Sequence, residues 1–90
     1  MSKKIAVLVR ERQEEALRMS IGLTLMDDSI DVYILDRKLE HTKNNDMNVE
    51  TLNDLDMHIY STVEESTAIK YVPLEMLGDR LLAYDHILPY

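Results

Sequence analysis

The chain has 90 residues, with 10 Lys and Arg, 17 Asp and Glu and no cysteine, which gives a net charge of −7. This length suits one small domain and is too short for two independent cores, so residues 1–90 are predicted to form a single domain. The negative charge repels phosphate groups, which excludes free nucleic acid and anionic membranes as partners. The lack of cysteine excludes thiol nucleophiles, thiolate metal sites and disulfides.

The distribution of apolar and charged residues refines this description. Hydrophobic residues make up 46% of the chain, enough for a packed core. No apolar run approaches the ~18 residues of a membrane span, and the apolar run at residues 5–9 is too short for a signal peptide. A cytoplasmic location is therefore predicted. Residues 1–45 hold 8 basic and 8 acidic residues, whereas residues 46–90 hold 2 basic and 9 acidic residues, so the acidity belongs to the second half.

The first third of the chain predicts a strand, a helix and a second strand. Residues 4–9 (KIAVLV) form a continuous apolar run rich in β-branched residues, which is typical of a strand covered on both faces. Residues 12–28 alternate apolar and polar side chains in places, but their length and their helix-forming residues favour a helix. Residues 30–35 (IDVYIL) predict the second strand.

The rest of the chain continues the alternation of strands and helices. A polar loop is predicted over residues 36–46, a short helix over 48–54, and strands over 57–60 and 68–72. Pro73 suits the first turn of a helix running to about residue 83, and residues 86–89 predict a last short strand. This order predicts an α/β fold, a three-layer α/β/α sandwich with a mainly parallel sheet of about five strands.

The predicted helix over residues 12–28 is apolar on two sides. At 100° per residue, its apolar residues fall on two sides of the helix. One side is expected to cover the sheet, and a 90-residue chain has little further material to cover the other side. A partner subunit would account for the second apolar side. The residues predicted to form an oligomer interface are Leu17, Ile21, Leu23, Leu25 and Met26.

Residue patterns of known catalytic and cofactor-binding sites are missing. The turn after the first strand (RERQ) has no glycine, so it cannot form a dinucleotide-binding or phosphate-binding loop. The histidines have no spacing typical of metal ligands, and no base accompanies the serine that follows the third strand. No cofactor and no metal are predicted, and a non-enzymatic role is favoured, although folding can bring distant residues together.

Basic residues follow the first two predicted strands. Ligands of open α/β sheets bind at the carboxyl ends of strands. If these two strands are neighbours, Arg10, Arg12 and Arg37, with Ser61 after the third strand, would form a site for a small anion. The alternative is that these arginines are ordinary solvated loop charges.

Three stretches together suggest a family. KIAVLVRERQEEALRMSIGLTLMDDSIDVYILD, MHIYST and IKYVPLEMLGDRLLAYDHILPY resemble the opening strand–helix–strand, the third strand and the closing strand–helix–strand of the small DsrE/DsrF-like (DsrEFH-like) proteins. The resemblance implies that fold and the formation of homo- or hetero-oligomers with related subunits, commonly trimers or hexamers. Active sulfur-relay members carry a persulfide on a cysteine after the third strand. Here that position is Ser61, whose hydroxyl cannot hold a transferable persulfide.

Two functions remain open from the sequence. The first is a non-catalytic DsrE-like subunit with a structural or protein-interaction role, associated with sulfur relay through a partner. The second is a module that binds a small ligand or anion at the basic loops.

Overall fold

The computed structural model describes residues 3–24, 29–64 and 69–89 of the chain. Five strands form one sheet, β1 (Lys4–Val9), β2 (Ser29–Ile34), β3 (His58–Ser61), β4 (Lys70–Tyr71) and β5 (His86–Pro89). Three helices, α1 (Gln13–Thr24), α2 (Lys43–Asp54) and α3 (Leu74–Leu81), alternate with them. All four strand pairings are parallel, and the strand order is β4-β3-β2-β1-β5. The predicted α/β class and parallel five-stranded sheet are confirmed.

The strand order places the helices on two faces of the sheet. From β1 to β3 the chain advances in one direction across the sheet, and right-handed crossovers then place α1 and α2 on the same face. Between β4 and β5 the chain returns to the far side of β1, so the crossover through α3 passes over the opposite face. The result is compatible with a three-layer α/β/α sandwich.

The two sides of the sheet differ in size and polarity. The larger apolar cluster lies under α1 and α2, and its fully buried members include Val7, Val32, Leu17 and Leu52. The smaller cluster, under α3, holds only four buried residues, Ala6, Tyr33, Leu35 and Leu77. A helix of eight residues covers much less of a five-stranded sheet than two helices of twelve. The α3 face of the sheet is therefore the less completely covered one.

The helix boundaries differ from prediction in one place that matters. Helix α2 begins at Lys43, not at residue 48, because Thr42 is its N-cap and accepts a hydrogen bond from the backbone N–H of Asn45 at 3.1 Å. The asparagines of this segment are typical of loops, which hid the helical start. Buried Asn45 also donates from Nδ2 to the carbonyl oxygen of Glu40 at 2.9 Å. The first turn of α2 is thereby fastened to the loop before it.

Candidate functional site

The carboxyl ends of β1 and β2 lie side by side, with Val9 paired to Ile34. The loops after them meet, as the sequence predicts for neighbouring strands. Arg10 Nε lies 3.8 Å from Asp36 Oδ2, and both side chains are mostly exposed. An exposed ion pair of this kind contributes little free energy, but it offsets part of the positive charge at this edge.

Of the residues predicted to bind an anion, Arg10, Arg12 and Arg37 are exposed, whereas Ser61 is buried. The hydroxyl oxygen of Ser61 accepts a hydrogen bond from the backbone N–H of Val63 at 3.1 Å, which stabilises the turn after β3. Its partner in β2 is Ile34, so its side chain points into the core under α1 and α2. Ser61 therefore has a structural role and does not reach the surface that the arginines occupy.

An open groove of about 620 Å³ lies at this edge, between the first turns of α1 and α2. Buried Gln13 holds its wall in place, because its amide donates to the carbonyl oxygen of Lys38 at 3.1 Å and accepts from the N–H of Glu40 at 2.9 Å. Four glutamates and two basic residues line the groove: Glu11, Glu14, Glu15 and Glu40 with Arg12 and Lys43. An anion would meet more negative than positive charge there, which weakens the case for the predicted anion site.

The described residues of the predicted interface on α1 pack into or against the core. Leu17 is fully buried, and half-buried Ile21 and Leu23 pack against the cluster under α1 and α2. Leu17 is therefore not available to a partner subunit. Leu25 and Met26 lie outside the described residues. Helix α1 contacts both the sheet and α2, so α2 covers part of the second apolar side within the chain.

A second polar cluster lies elsewhere, on the α3 face of the sheet near the amino ends of β2 and β3. We call it the tyrosine cluster and define it as Asp31, Tyr33, Tyr60, Arg80 and Tyr84. Parallel pairing of Asp31 with His58 and of Tyr33 with Tyr60 places these side chains in two adjacent rows. The rings of Tyr33 and Tyr60 stack with centroids 4.9 Å apart. The last residues of α3 and the turn after it supply Arg80 and Tyr84.

The hydrogen bonds of the tyrosine cluster run in one direction. The hydroxyl of Tyr84 donates to Asp31 Oδ2, because an ionised carboxylate can only accept. The Tyr84 oxygen then accepts from the hydroxyl of Tyr33 at 2.7 Å, and the Tyr33 oxygen accepts from Arg80 Nε at 3.4 Å. Two phenols thus connect a guanidinium to a carboxylate.

Burial and neighbouring charge change the ionisation of these groups. Desolvation, followed by the hydrogen bonds to Asp31 and Tyr33, raises the pKa of Tyr84 far above its usual range. Desolvation and the charge of Asp31 raise the pKa of Tyr60, although Arg80 opposes this. The hydrogen bond to Tyr33 raises the pKa of Arg80. Tyr60 and Tyr84 are therefore neutral hydrogen-bonding groups at physiological pH, and Arg80 carries a full positive charge.

The tyrosine cluster borders a hollow of about 370 Å³. Lys4 lies at its edge with Nζ 5.2 Å from the centre of the Tyr84 ring, and the Arg80 guanidinium lies 4.6 Å from the centre of the Tyr60 ring. His58 and Asp56 also line the hollow. Two cations, aromatic rings and hydroxyl groups therefore line one open space, together with the carboxylates of Asp31 and Asp56.

A sequence signal for the tyrosine cluster exists but is weak. The pairs Asp31/Tyr33 and His58/Tyr60 each have the spacing of two that places both side chains on one face of a strand. This spacing does not identify a site, since the strand register and the position of α3 are needed to bring the pairs together. Arg80 has no sequence signal of its own.

Apolar side chains are also exposed on and near α3. Leu74, Met76 and Leu82 are more than half exposed, and Ile87 of the edge strand β5 is 43% exposed. Ile87 pairs with Ala6, so its side chain lies on the same face of the sheet as α3. The less completely covered face of the molecule thus carries both apolar surface and the tyrosine cluster.

Within residues 3–24, 29–64 and 69–89, no three His, Asp or Glu side chains are placed to hold a metal ion. No helix in the same ranges has the length and apolar character to cross a membrane.

Comparison of the chain with protein-family models, with curated proteins and with solved structures finds no match. The fold and the polar clusters therefore define a small α/β protein with an all-parallel sheet and one open face.

Proposed function

We propose that the chain is a non-catalytic, cytoplasmic subunit that acts by assembling with further copies of itself or with related DsrE-like subunits. The observation that carries the proposal is the set of exposed apolar side chains on and near α3, Leu74, Met76, Leu82 and Ile87, called here the α3 surface. Removing such side chains from water on assembly is worth about 25 cal/mol for each Å² of apolar area.

A second copy of the chain is the occupant that fits the α3 surface. Both copies carry a net charge of −7, so they repel each other wherever acidic surfaces face. Helix α3 offers apolar side chains at both ends, with Glu75, Asp79 and Arg80 between them. A symmetric pair would match apolar groups with apolar groups. The resemblance to oligomeric DsrE-like proteins supports the same partner.

The proposal assigns no sulfur chemistry to this chain. The chain contains no cysteine, and buried Ser61 stands where active DsrE-like members carry the persulfide. A role in sulfur relay therefore requires a partner subunit that supplies the thiol. The observed α/β fold agrees with a DsrE-like subunit in its fold class alone, because one α/β architecture serves many functions.

Sedimentation equilibrium tests the proposal on the full chain and on variants of the α3 surface. At about 50 µM the wild type is expected to sediment as an oligomer, since mass action favours assembly at higher concentration. Met76→Glu and Leu82→Glu should shift it toward the 10.5 kDa monomer, because assembly would bury an unpaired carboxylate.

Met47→Glu is the matched control, because the exposed fractions of Met47 and Met76 are similar, 55% and 52%. Met47 differs in its place, since it lies on α2, on the other side of the sheet from α3. The control should retain the mass of the wild type. A wild type that is monomeric at this concentration, or a loss of mass in the control as large as in Met76→Glu, would contradict assembly through the α3 surface.

A further inference from the structure

The hollow beside the tyrosine cluster is separate from the carboxyl edge where the sequence predicts binding. Its walls come from the amino ends of β1, β2 and β3, through Lys4, Asp31 and His58, and from Arg80 and Tyr84 near the end of α3. Its volume of about 370 Å³ lies within the range of small-molecule sites, roughly 300–1,000 Å³. We propose that this hollow binds a small organic monocarboxylate, with Arg80 as the main anion-binding residue.

Arg80 is positioned for this role by its neighbours. Its Nε donates to Tyr33 at 3.4 Å, and the carbon at the centre of its guanidinium lies 4.6 Å from the centre of the Tyr60 ring. These contacts, together with a hydrogen bond to Tyr60, hold the guanidinium beside the hollow. A guanidinium carries five N–H hydrogens in a planar fork that matches the two oxygens of a carboxylate, so it can bind these tyrosines and an external carboxylate together.

The directed chain of hydrogen bonds explains why Asp31 does not neutralise Arg80 directly. Asp31 Oδ2 accepts from Tyr84, and Tyr33 separates Tyr84 from Arg80. The two tyrosines hold the carboxylate and the guanidinium apart. They also supply a hydrogen-bond partner to one oxygen of the carboxylate and to one N–H of the guanidinium. The guanidinium therefore keeps its capacity to bind an external carboxylate.

The charges around the hollow favour a singly charged ligand over a doubly charged one. Lys4 and Arg80 contribute two positive charges, and Asp31 and Asp56 contribute two negative charges. A monocarboxylate at the cationic side gains from Arg80 and Lys4, whereas phosphate brings a second negative charge that these acids repel. Met57 and the tyrosine rings offer apolar contact for the body of an organic acid.

Benzoate, acetate and inorganic phosphate are the probes that test the site, titrated at one ionic strength into the full ¹⁵N-labelled chain and followed by NMR. Benzoate is expected to shift the amide signals of residues 31, 58, 60 and 80–84. It should bind more tightly than acetate, which lacks an apolar body, and more tightly than phosphate. Shifts confined to the loops of Arg10 and Arg37, or tighter binding of phosphate, would overturn the assignment.

Arg80→Gln should weaken benzoate binding about tenfold or more, since hydrogen bonds to charged groups contribute roughly 1.5–3 kcal/mol. Arg37→Gln is the matched control at the carboxyl edge and should leave the affinity unchanged. Lys4→Gln provides a second variant, because the exposed Lys4 side chain can be replaced while its backbone hydrogen bond to Asp85 remains. It should weaken binding several-fold. An Arg37→Gln effect equal to that of Arg80→Gln, or unchanged binding in Lys4→Gln and Arg80→Gln, would refute the proposal.

Discussion

Single residues show how burial decides the role of a side chain. Ser61 and Tyr33 both lie on central strands, and both are almost fully buried. Ser61 points under α1 and α2 and serves only its own turn, whereas Tyr33 points under α3 and joins a chain of hydrogen bonds. The face of the strand, not the residue type, separates a structural hydroxyl from one that helps to form a candidate site.

Tyr84 should make the stability of the protein fall with pH under alkaline conditions. Its pKa in the folded state lies well above the value of about 10 that it has when unfolded. The contribution of Tyr84 to the free energy of unfolding is therefore fully present below pH 10. It is lost as the pH rises above 10, because the unfolded chain releases the tyrosine proton and the folded chain retains it. The decrease is at most about 1.4 kcal/mol per pH unit, reduced by solvent screening because Tyr84 is only partly buried.

Urea unfolding of the wild type and of Tyr84→Phe between pH 9 and about pH 11 checks this prediction. Tyr84→Phe should be less stable at pH 9, because the hydrogen bonds to Asp31 and Tyr33 are lost. Its stability should then fall less steeply with pH than that of the wild type. Parallel pH profiles for the two proteins would contradict the role given to Tyr84.

At the scale of elements, helix ends depend on single hydrogen bonds that composition conceals. The segment KNNDMNVETLND has a polar composition and forms α2 because Thr42 caps it and because Val49 and Leu52 reach the core. The helix thus obtains its stability from tertiary packing more than from its own propensity. Helix α3 shows the converse, because its sequence is strongly amphipathic but Leu77 is its one buried residue.

Thr42→Ala should destabilise the protein by about 1 kcal/mol, because the N–H of Asn45 loses its capping partner. The matched control is Thr51→Ala, since Thr51 Oγ1 only donates to the carbonyl oxygen of Met47 within the same helix. Alanine is the better helix former, so the control should be neutral or slightly stabilising. Urea unfolding monitored by circular dichroism measures both, and equal losses in the two variants would argue against the cap.

At the scale of the whole molecule, stability is concentrated in the middle of the sheet. Strands β1 and β2 each have neighbours on both sides and are mostly buried, whereas β4 and β5 are edge strands with mostly exposed residues. The larger core lies on one face, and the other face combines exposed apolar side chains with the tyrosine cluster. This asymmetry underlies both proposals made for the protein.

Amide hydrogen exchange should reproduce the gradient across the sheet. Amides of β1 and β2 are expected to exchange only through global unfolding, and those of β5 faster by about tenfold or more, because edge strands open locally. NMR or mass spectrometry on the monomeric form, such as Met76→Glu, provides the measurement. Equal protection of β1 and β5 in a monomer would show that the edge is not a separate opening unit.

The sequence by itself determined the class of fold, since the apolar runs at residues 4–9 and 30–35 and the helical stretches between strands leave few arrangements other than a parallel α/β sheet. It also determined the absence of thiol chemistry. It did not locate the candidate site. Only the tertiary structure placed Leu17 in the core, turned Ser61 away from the surface, and brought Arg80 to Tyr33 and Tyr84 to Asp31, each across more than 45 residues of chain. The physical reason is that periodicity encodes which side chains are buried, whereas strand register and the side of each crossover decide which side chains meet.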